Sequence, residues 1–212
     1  EYTYNIKEKF SVVAGARYDY NAYFSNPDRI VMVTTNCLTG KAEYLEEKKS
    51  SARVMDIVRA SSSLPFVSPV TYVDGVPMLD GGIADSTPVE YAMAQGYEKI
   101  VVVLTRNKGY RKKPGTMPLR KIFYRKYPQL QKALAERNAV YNRTMDLIER
   151  LEDEGKIVVI RPQKPVEVGR MEKDTAKLTA LYQEGYEVTR KFLNEEKLSE
   201  KDERQDHLVR FQ

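Results

Sequence analysis

The chain has 212 residues, 42% of them hydrophobic and 31% charged, and its 35 basic and 30 acidic side chains give a formal net charge of +5. This length suffices for one domain, or one domain with an appendage, whose core needs no disulfide or metal to hold it together. The single cysteine, Cys37, and the single histidine, His207, argue against a structural zinc site and against a catalytic triad that contains histidine. We expect neither a metal nor a cofactor.

The sequence carries no signal for membrane insertion or secretion. No apolar run approaches the length of about 18 residues that a membrane-spanning helix needs, and no basic segment followed by an apolar one marks a signal peptide. We therefore expect a cytoplasmic protein. The chain starts at Glu1 without an initiator methionine, so we also expect further sequence upstream of it.

The first predicted elements are a strand and a helix. Residues 30–35 form a short, nearly continuous apolar run with β-branched side chains, which predicts a buried strand. Ser50 and Ser51 offer an N-terminal cap for a helix of about three turns at most. Because the residue before a proline is pushed out of the α region, this helix is expected to end at Leu64-Pro65.

A hairpin and a second helix follow. Residues 70–79 contain two extended runs around Asp74-Gly75, a dipeptide that suits a tight turn between antiparallel strands. The second run leads directly into Asp80-Gly81-Gly82. Residues 87–90 then combine a capping hydroxyl, a proline and a carboxylate, which predicts a helix that runs to Gly96.

The alternation of strands and helices continues in the second half of the chain. Residues 99–105 are apolar on both faces, as expected at the centre of a parallel sheet that helices cover. A helical stripe in residues 134–151 ends near Gly155, and residues 156–161 predict another buried strand. Strands that alternate with helices indicate an α/β layer fold.

The C-terminal segment predicts one more helix. Its apolar stripe runs through residues 178–192 and includes Gly185, which would allow a close approach to a neighbouring element. Residues 195–212 are rich in charge, so we expect either a solvated end of this helix or a disordered tail, with His207 facing solvent.

Four ordered blocks of the sequence resemble the patatin-like phospholipase family. Residues 33–41 are similar to the family's strand and Thr-Gly turn, residues 60–65 to its Ala-Ser-Ser helix end, and residues 69–89 to the strand that leads into Asp-Gly-Gly. The segment 161–185 is similar to bacterial members with a C-terminal helical extension. The resemblance covers most of residues 28–193. It implies an α/β, three-layer patatin-like (acyl-hydrolase) fold with a mainly parallel central sheet.

The resemblance also implies that the chain holds only the C-terminal half of that fold. The family's glycine-rich oxyanion loop and its Gly-x-Ser-x-Gly nucleophile elbow lie upstream of Asp-Gly-Gly, and this sequence contains neither. We expect residues 1–165 to be the C-terminal half of the catalytic domain and residues 166–212 to be a helical extension with a charged tail. Without the N-terminal half, the chain should be inactive alone and should leave apolar surface uncovered on its strands.

The resemblance assigns a catalytic role to Asp80, as the partner of a serine in a Ser-Asp dyad that cleaves lipid or other acyl esters. The residue chemistry agrees, because a carboxylate within hydrogen-bond reach of a serine hydroxyl can act as its general base. Gly81 and Gly82 let the backbone turn sharply and put no side chain between Asp80 and a cleft. The nucleophile itself is expected to lie outside this chain.

Other polar residues have simpler structural interpretations. The serines at 61–63 are expected to cap or end a helix, and Cys37 to be a small buried side chain. A calcium site would need about six to eight closely spaced oxygen ligands. The spread of Asp74, Asp80 and Asp85 along the chain does not supply them.

Residues 106–126 contain nine Lys or Arg and no acidic side chain. Three aromatic residues are interleaved with them: Tyr110, Phe123 and Tyr124. This basic stretch is either a solvated loop and helix face or a patch that holds anionic headgroups. The second reading gives an alternative function, a non-catalytic α/β module that binds an anionic membrane through Arg111, Lys112 and Lys113, or a protein partner. No nucleic-acid motif accompanies the stretch, so we expect no nucleic-acid partner.

Overall fold

The computed structural model describes residues 28–115, 119–169 and 172–209, with side chains as far as Asn194. Within these ranges the chain is a mixture of helices and strands. No helix in them combines the length and the apolar character that crossing a membrane requires. The prediction for the side chain of His207 falls outside the described side chains.

Six strands and five helices follow one another along the described ranges, and a single turn of 3-10 helix, Gly81–Ile83, follows the fourth strand. The strands are β1 Met32–Asn36, β2 Ala42–Leu45, β3 Thr71–Val73, β4 Val76–Asp80, β5 Val101–Val103 and β6 Val158–Ile160. The helices are α1 Ser51–Ser61, α2 Val89–Ala94, α3 Arg120–Phe123, α4 Pro128–Asp153 and α5 Thr175–Val209.

The chain divides into two compact units, and the long helix α4 is shared between them. Unit 1 takes the chain up to Ser86 together with Pro114–Val140. Unit 2 takes Thr87–Lys113 and the chain from Tyr141 onward. Unit 1 contains a four-stranded sheet in the order β2-β1-β4-β3, and unit 2 contains the pair β5-β6.

The pairing directions correct one expectation from the sequence. Every pair in the four-stranded sheet is antiparallel, and among the described strands only β5 and β6 pair in parallel. The expectation of a mainly parallel sheet is therefore wrong for these residues. An apolar run predicts a strand but not its direction. The links from β1 to β2 and from β3 to β4 are also too short for the crossover that parallel neighbours need.

The predicted helix and hairpin of unit 1 are confirmed. Ser50 caps α1, since its side chain accepts a hydrogen bond from the backbone N–H of Arg53 at 3.3 Å. The turn between β3 and β4 has left-handed backbone at both central residues, Asp74 with φ 51° and Gly75 with φ 78°. This geometry is that of the tight turn that Asp-Gly favours between antiparallel strands.

Helices lie on both faces of β4. Met78 packs with Ile57 of α1, whereas the next residue, Leu79, packs with Leu130 and Leu134 of α4. Consecutive side chains on a strand point to opposite faces, so α1 covers one face and the first part of α4 covers the other. The end of β4 is consequently fixed from two sides.

Unit 2 packs the second part of α4 against the β5-β6 pair. Its buried cluster includes Val102, Ile148 and Ile157. On either side of Val102, however, Val101 is 48% exposed and Val103 is 71% exposed. The interpretation of this segment as a strand covered on both faces is therefore wrong for β5, because only the Val102 side of the strand is buried and the side chains of Val101 and Val103 are exposed on the other.

The C-terminal helix α5 is confirmed and continues as helix to Val209. Of the two alternatives for the charged tail, a helix end or a disordered segment, the backbone is helical as far as Val209, where the described residues end. A side chain at Gly185 would meet nothing within 4 Å. The expected close approach of a neighbour at Gly185 is thus not found in the described part of the chain.

Candidate active site

Asp80 is the last residue of β4, and hydrogen bonds hold its backbone from two directions. Its N–H donates to the carbonyl oxygen of Ser63 at 3.0 Å. Its carbonyl oxygen accepts from the hydroxyl of Thr35 at 2.8 Å. Asp80 also lies opposite Thr34 in the β1-β4 register. The segment after α1 and the strand β1 together fix where this residue emerges from the sheet.

The carboxylate of Asp80 folds back over the turn that follows it. Oδ1 accepts a hydrogen bond from the backbone N–H of Gly82 at 2.7 Å, so Asp80 caps the single turn of 3-10 helix. The residue is half-buried. Its other oxygen, Oδ2, makes no hydrogen bond to any residue that the structure describes. One oxygen is therefore held in place and the other is open to a partner.

The two glycines of this turn serve the site by lacking a side chain. A Cβ atom at Gly81 would lie 2.3 Å from the carbonyl oxygen of Val33, which is closer than real Cβ contacts come. A Cβ atom at Gly82 would lie 2.9 Å from Asp80 Oδ1. Neither glycine has the left-handed backbone found at Gly75. Glycine is therefore needed in this turn because a side chain would collide with neighbouring atoms, and not because the backbone is left-handed.

Sequence reasoning missed two side chains that complete the turn. Arg137 of α4 donates from Nε to the carbonyl oxygen of Gly82 at 2.9 Å. The hydroxyl of Thr35 accepts from the N–H of Ala84 at 3.3 Å, in addition to the bond it donates to Asp80. These partners lie about fifty residues away along the chain, and no local pattern in the sequence points to them.

The three aspartates considered for calcium take different partners. Asp74 forms an ion pair with Arg53 at 2.9 Å, and Asp85 accepts from the hydroxyl of Tyr44 at 2.7 Å. Asp80 caps the turn as described above. Within the described residues, no three Asp, Glu, His or Cys side chains come together in a group that could hold a metal ion.

The serines and the cysteine take structural positions. Ser62 donates to the carbonyl oxygen of Val58 at 2.7 Å, and the buried Ser63 donates to that of Arg59 at 2.7 Å. Both hydroxyls thus bond to the last turn of α1, as the helix-end interpretation expects. Cys37 is fully buried, and burial raises the pKa of its thiol to about 12. A thiol with such a pKa is not a nucleophile at neutral pH.

An open cleft of about 290 Å³ lies beside the turn in unit 1. Ile83 and Ala84 line it together with residues 40–42 and three side chains of α4. Asp80 is not among its lining residues.

Within unit 2, ion pairs join the first half of the basic stretch to α4. Arg111 pairs with Asp146 at 2.6 Å and with Glu149 at 2.8 Å. The hydrogen bonds from the Arg111 guanidinium hold the pKa of Glu149 well below its usual value, at about 2. Lys108 pairs with Asp153 at 2.7 Å. These cations have structural partners.

The next residue in the stretch, Lys112, is held in the same way. Its ammonium lies 3.7 Å from the centre of the Tyr141 ring, and its backbone exchanges two hydrogen bonds with the side chain of Asn142. All three interleaved aromatic residues make packing contacts, and the ring of Phe123 meets that of Phe66 edge-to-face. Tyr110 packs edge-on against Tyr141, and Tyr124 is buried in the core of unit 1. These contacts favour the structural interpretation for the loop at 106–112.

Comparison with known proteins gives two family matches and one curated relative. Residues 5–93 match the family described as patatin-like phospholipase. Residues 127–198 match a domain of unknown function, DUF6363. An uncharacterized protein of Escherichia coli (strain K12), YjjU, is 42% identical over 52 residues. That alignment covers 24% of this chain and 15% of the relative, so the chain spans only a small part of the length of the curated relative it matches.

The first match contains the whole of the candidate site except Arg137. It includes β1, the hairpin and the turn Gly81–Ile83, which together position Asp80. The second match crosses residue 165, where the sequence resemblance placed the end of the catalytic domain, and that boundary stays a prediction. Residues 5–93 of this chain, which carry the turn after β4, are therefore similar to the patatin-like phospholipase family.

Proposed function

We propose that Asp80 is the general base of a Ser-Asp dyad in an acyl hydrolase that acts on lipid esters. The nucleophilic serine belongs to sequence outside residues 1–212, because no Gly-x-Ser-x-Gly occurs within them. The observation that carries this proposal is the half-restrained carboxylate. Oδ1 is bonded to the Gly82 N–H, and Oδ2 has no hydrogen bond within the described structure. The patatin-like match supports the reaction class.

The reaction proceeds in two steps. Oδ2 of Asp80 accepts the proton of the serine hydroxyl while the serine oxygen attacks the acyl carbonyl carbon. Backbone N–H groups of a glycine-rich loop, also outside this chain, stabilise the oxyanion. The proton passes to the leaving alcohol, and the acyl-enzyme forms. Water then attacks the acyl-enzyme with Asp80 again as base, which releases the fatty acid and restores the serine.

Residues around Asp80 orient the base. Thr35 and Ser63 hold its backbone, and the Gly82 N–H holds Oδ1, so the direction of Oδ2 is set before the serine approaches. Preorganisation of this kind removes the need to reorder the base during the reaction. The proposed catalytic domain has a three-layer fold. Residues 1–165 form its C-terminal half, and residues 166–212 form the extension. The isolated chain is inactive in this proposal.

Replacement of Asp80 tests the proposal. In protein that includes the upstream sequence, Asp80→Asn should lower the turnover of p-nitrophenyl acyl esters by at least about 100-fold, because general-base catalysis contributes about that much or more. Asn keeps the size of the side chain and can still accept from the Gly82 N–H, so the circular dichroism spectrum should not change.

The matched control is Asp74→Asn, an exposed aspartate in the turn of the same hairpin. It should retain the full rate of ester hydrolysis. Undiminished turnover in Asp80→Asn would show that this carboxylate is not the base.

A further inference from the structure

Unit 1 carries an exposed apolar surface built from two segments, residues 64–67 and 119–123. Large apolar side chains there are exposed to solvent: Leu64 41%, Val67 80%, Leu119 53%, Ile122 73% and Phe123 60%. The segments touch, because the rings of Phe66 and Phe123 meet edge-to-face with centroids 5.7 Å apart. We call these five residues the apolar surface. Scattered exposed apolar residues need no explanation, but a cluster from two touching segments does.

The core of unit 1 fixes the apolar surface in place. Phe66 has left-handed backbone, with φ 67°, which is an outlier for a bulky side chain. Its N–H donates to the hydroxyl of Tyr124 at 2.8 Å, and its ring lies 5.3 Å from the Tyr124 ring. Tyr124 is itself buried among Leu79 and Leu130. An unfavourable backbone is thus maintained at the residue next to Val67, the most exposed member of the surface.

Cations border the apolar surface. Residues 119–126 contain four Lys or Arg and no acidic side chain. Lys121, Arg125 and Lys126 are exposed, and no ion pair joins them to any residue in the described ranges. This differs from Arg111 in the first half of the basic stretch, which is paired with two carboxylates. Among the described cations of the basic stretch, those without an ion pair or another interaction are therefore the ones beside the apolar surface.

We propose that the apolar surface docks the protein on an anionic lipid bilayer. Val67, Ile122 and Phe123 enter the boundary between headgroups and acyl chains, and Lys121, Arg125 and Lys126 lie against the lipid phosphates. Apolar side chains bordered by Lys and Arg are the combination that binds such a boundary. The sign of the charge also matches, because an anionic bilayer presents phosphates to the three cations of residues 121–126. This docking does not depend on a catalytic role for Asp80.

The test is sedimentation of the protein, with its upstream sequence, in the presence of vesicles. We expect binding to vesicles of phosphatidylglycerol and phosphatidylcholine, weaker binding at high salt, and little binding to phosphatidylcholine alone. Val67→Asp with Ile122→Asp should lower the partition coefficient at least roughly tenfold. Both side chains are largely exposed, so the urea unfolding midpoint should stay unchanged. Val103→Asp, at an exposed valine of β5, is the matched control and should bind normally.

A second pair of variants separates the two halves of the basic stretch. Lys121→Glu with Lys126→Glu should lower binding at least roughly tenfold, since each lysine near an anionic surface contributes several-fold to the affinity. Lys112→Glu with Lys113→Glu should change binding by no more than about twofold. Equal losses in the two double variants, or normal binding by Val67→Asp with Ile122→Asp, would overturn the proposal. Concentration-dependent dimers without vesicle binding would also overturn it and would assign the surface to a protein partner.

Discussion

The hairpin of unit 1 contains the dipeptide Asp-Gly twice, once in its turn and once at the end of its second strand. In the turn, Gly75 has left-handed backbone with φ 78°, and a Cβ there would meet nothing within 4 Å. At the strand end, Gly81 has no such backbone, but its Cβ would lie 2.3 Å from the Val33 carbonyl oxygen. The first glycine is needed for its backbone conformation, and the second is needed for its absent side chain.

The two aspartates also differ in their surroundings, because Asp74 lies in solvent and Asp80 is held by its neighbours. Asp74 is 59% exposed and pairs with Arg53, an arrangement that contributes little to stability in solvent. Asp80 has its backbone bonded on both sides and one carboxylate oxygen bonded to Gly82. The same dipeptide, Asp-Gly, thus forms a solvent-exposed turn at one end of β4 and carries a packed, oriented carboxylate at the other. The surroundings of the dipeptide, more than the dipeptide, mark the candidate site.

The largest expected effect on stability comes from Gly81→Ala. The added Cβ would collide with the backbone oxygen of Val33 within β1, which cannot move without disturbing the sheet. We expect the free energy of unfolding to fall by about 3 kcal/mol. Gly75→Ala is the matched control, and it should cost about 1 kcal/mol, because only the left-handed backbone opposes it. Urea unfolding measures both, and equal losses would remove the distinction between the two turns.

A smaller effect is expected from the hydroxyl that binds the carbonyl oxygen of Asp80. Thr35→Val should lower the free energy of unfolding by about 2 kcal/mol, because the Asp80 oxygen and the Ala84 N–H both lose a buried partner. Thr34→Val is the matched control at an equally buried neighbour. Among the described residues its hydroxyl bonds only to the sulfur of Met78, at 3.6 Å, so the loss should stay within about 0.5 kcal/mol. A neutral Thr35→Val would show that this bond does not hold the site.

The sequence predicts those elements whose formation depends on residues that lie close together along the chain. The cap at Ser50 and the turn at Asp74-Gly75 act within a few residues, and α1 and the hairpin form as expected. The direction of β1 and the presence of β2 depend on pairing between strands, which a single apolar run does not specify. The sequence therefore indicated most elements but not the antiparallel sheet that carries Asp80.

For the same reason, the sequence alone does not predict contacts between residues that are far apart along the chain. The sequence shows that residues 106–126 are basic, but the partners of Arg111 are Asp146 and Glu149, which lie on a helix more than thirty residues later. The bond from Arg137 to Gly82 likewise joins positions 55 residues apart. Which cations are paired and which are available becomes visible only when α4 is in place.

The most direct measurement is the rate at which a fluorophosphonate labels the nucleophilic serine, since labelling reports the activation of the serine without any later step. In protein that includes the upstream sequence, Asp80→Asn should label at least about 100-fold more slowly than the wild type, and Asp74→Asn should label at the wild-type rate. Labelling of Asp80→Asn at the wild-type rate would contradict the assignment of Asp80 as the base that activates the serine.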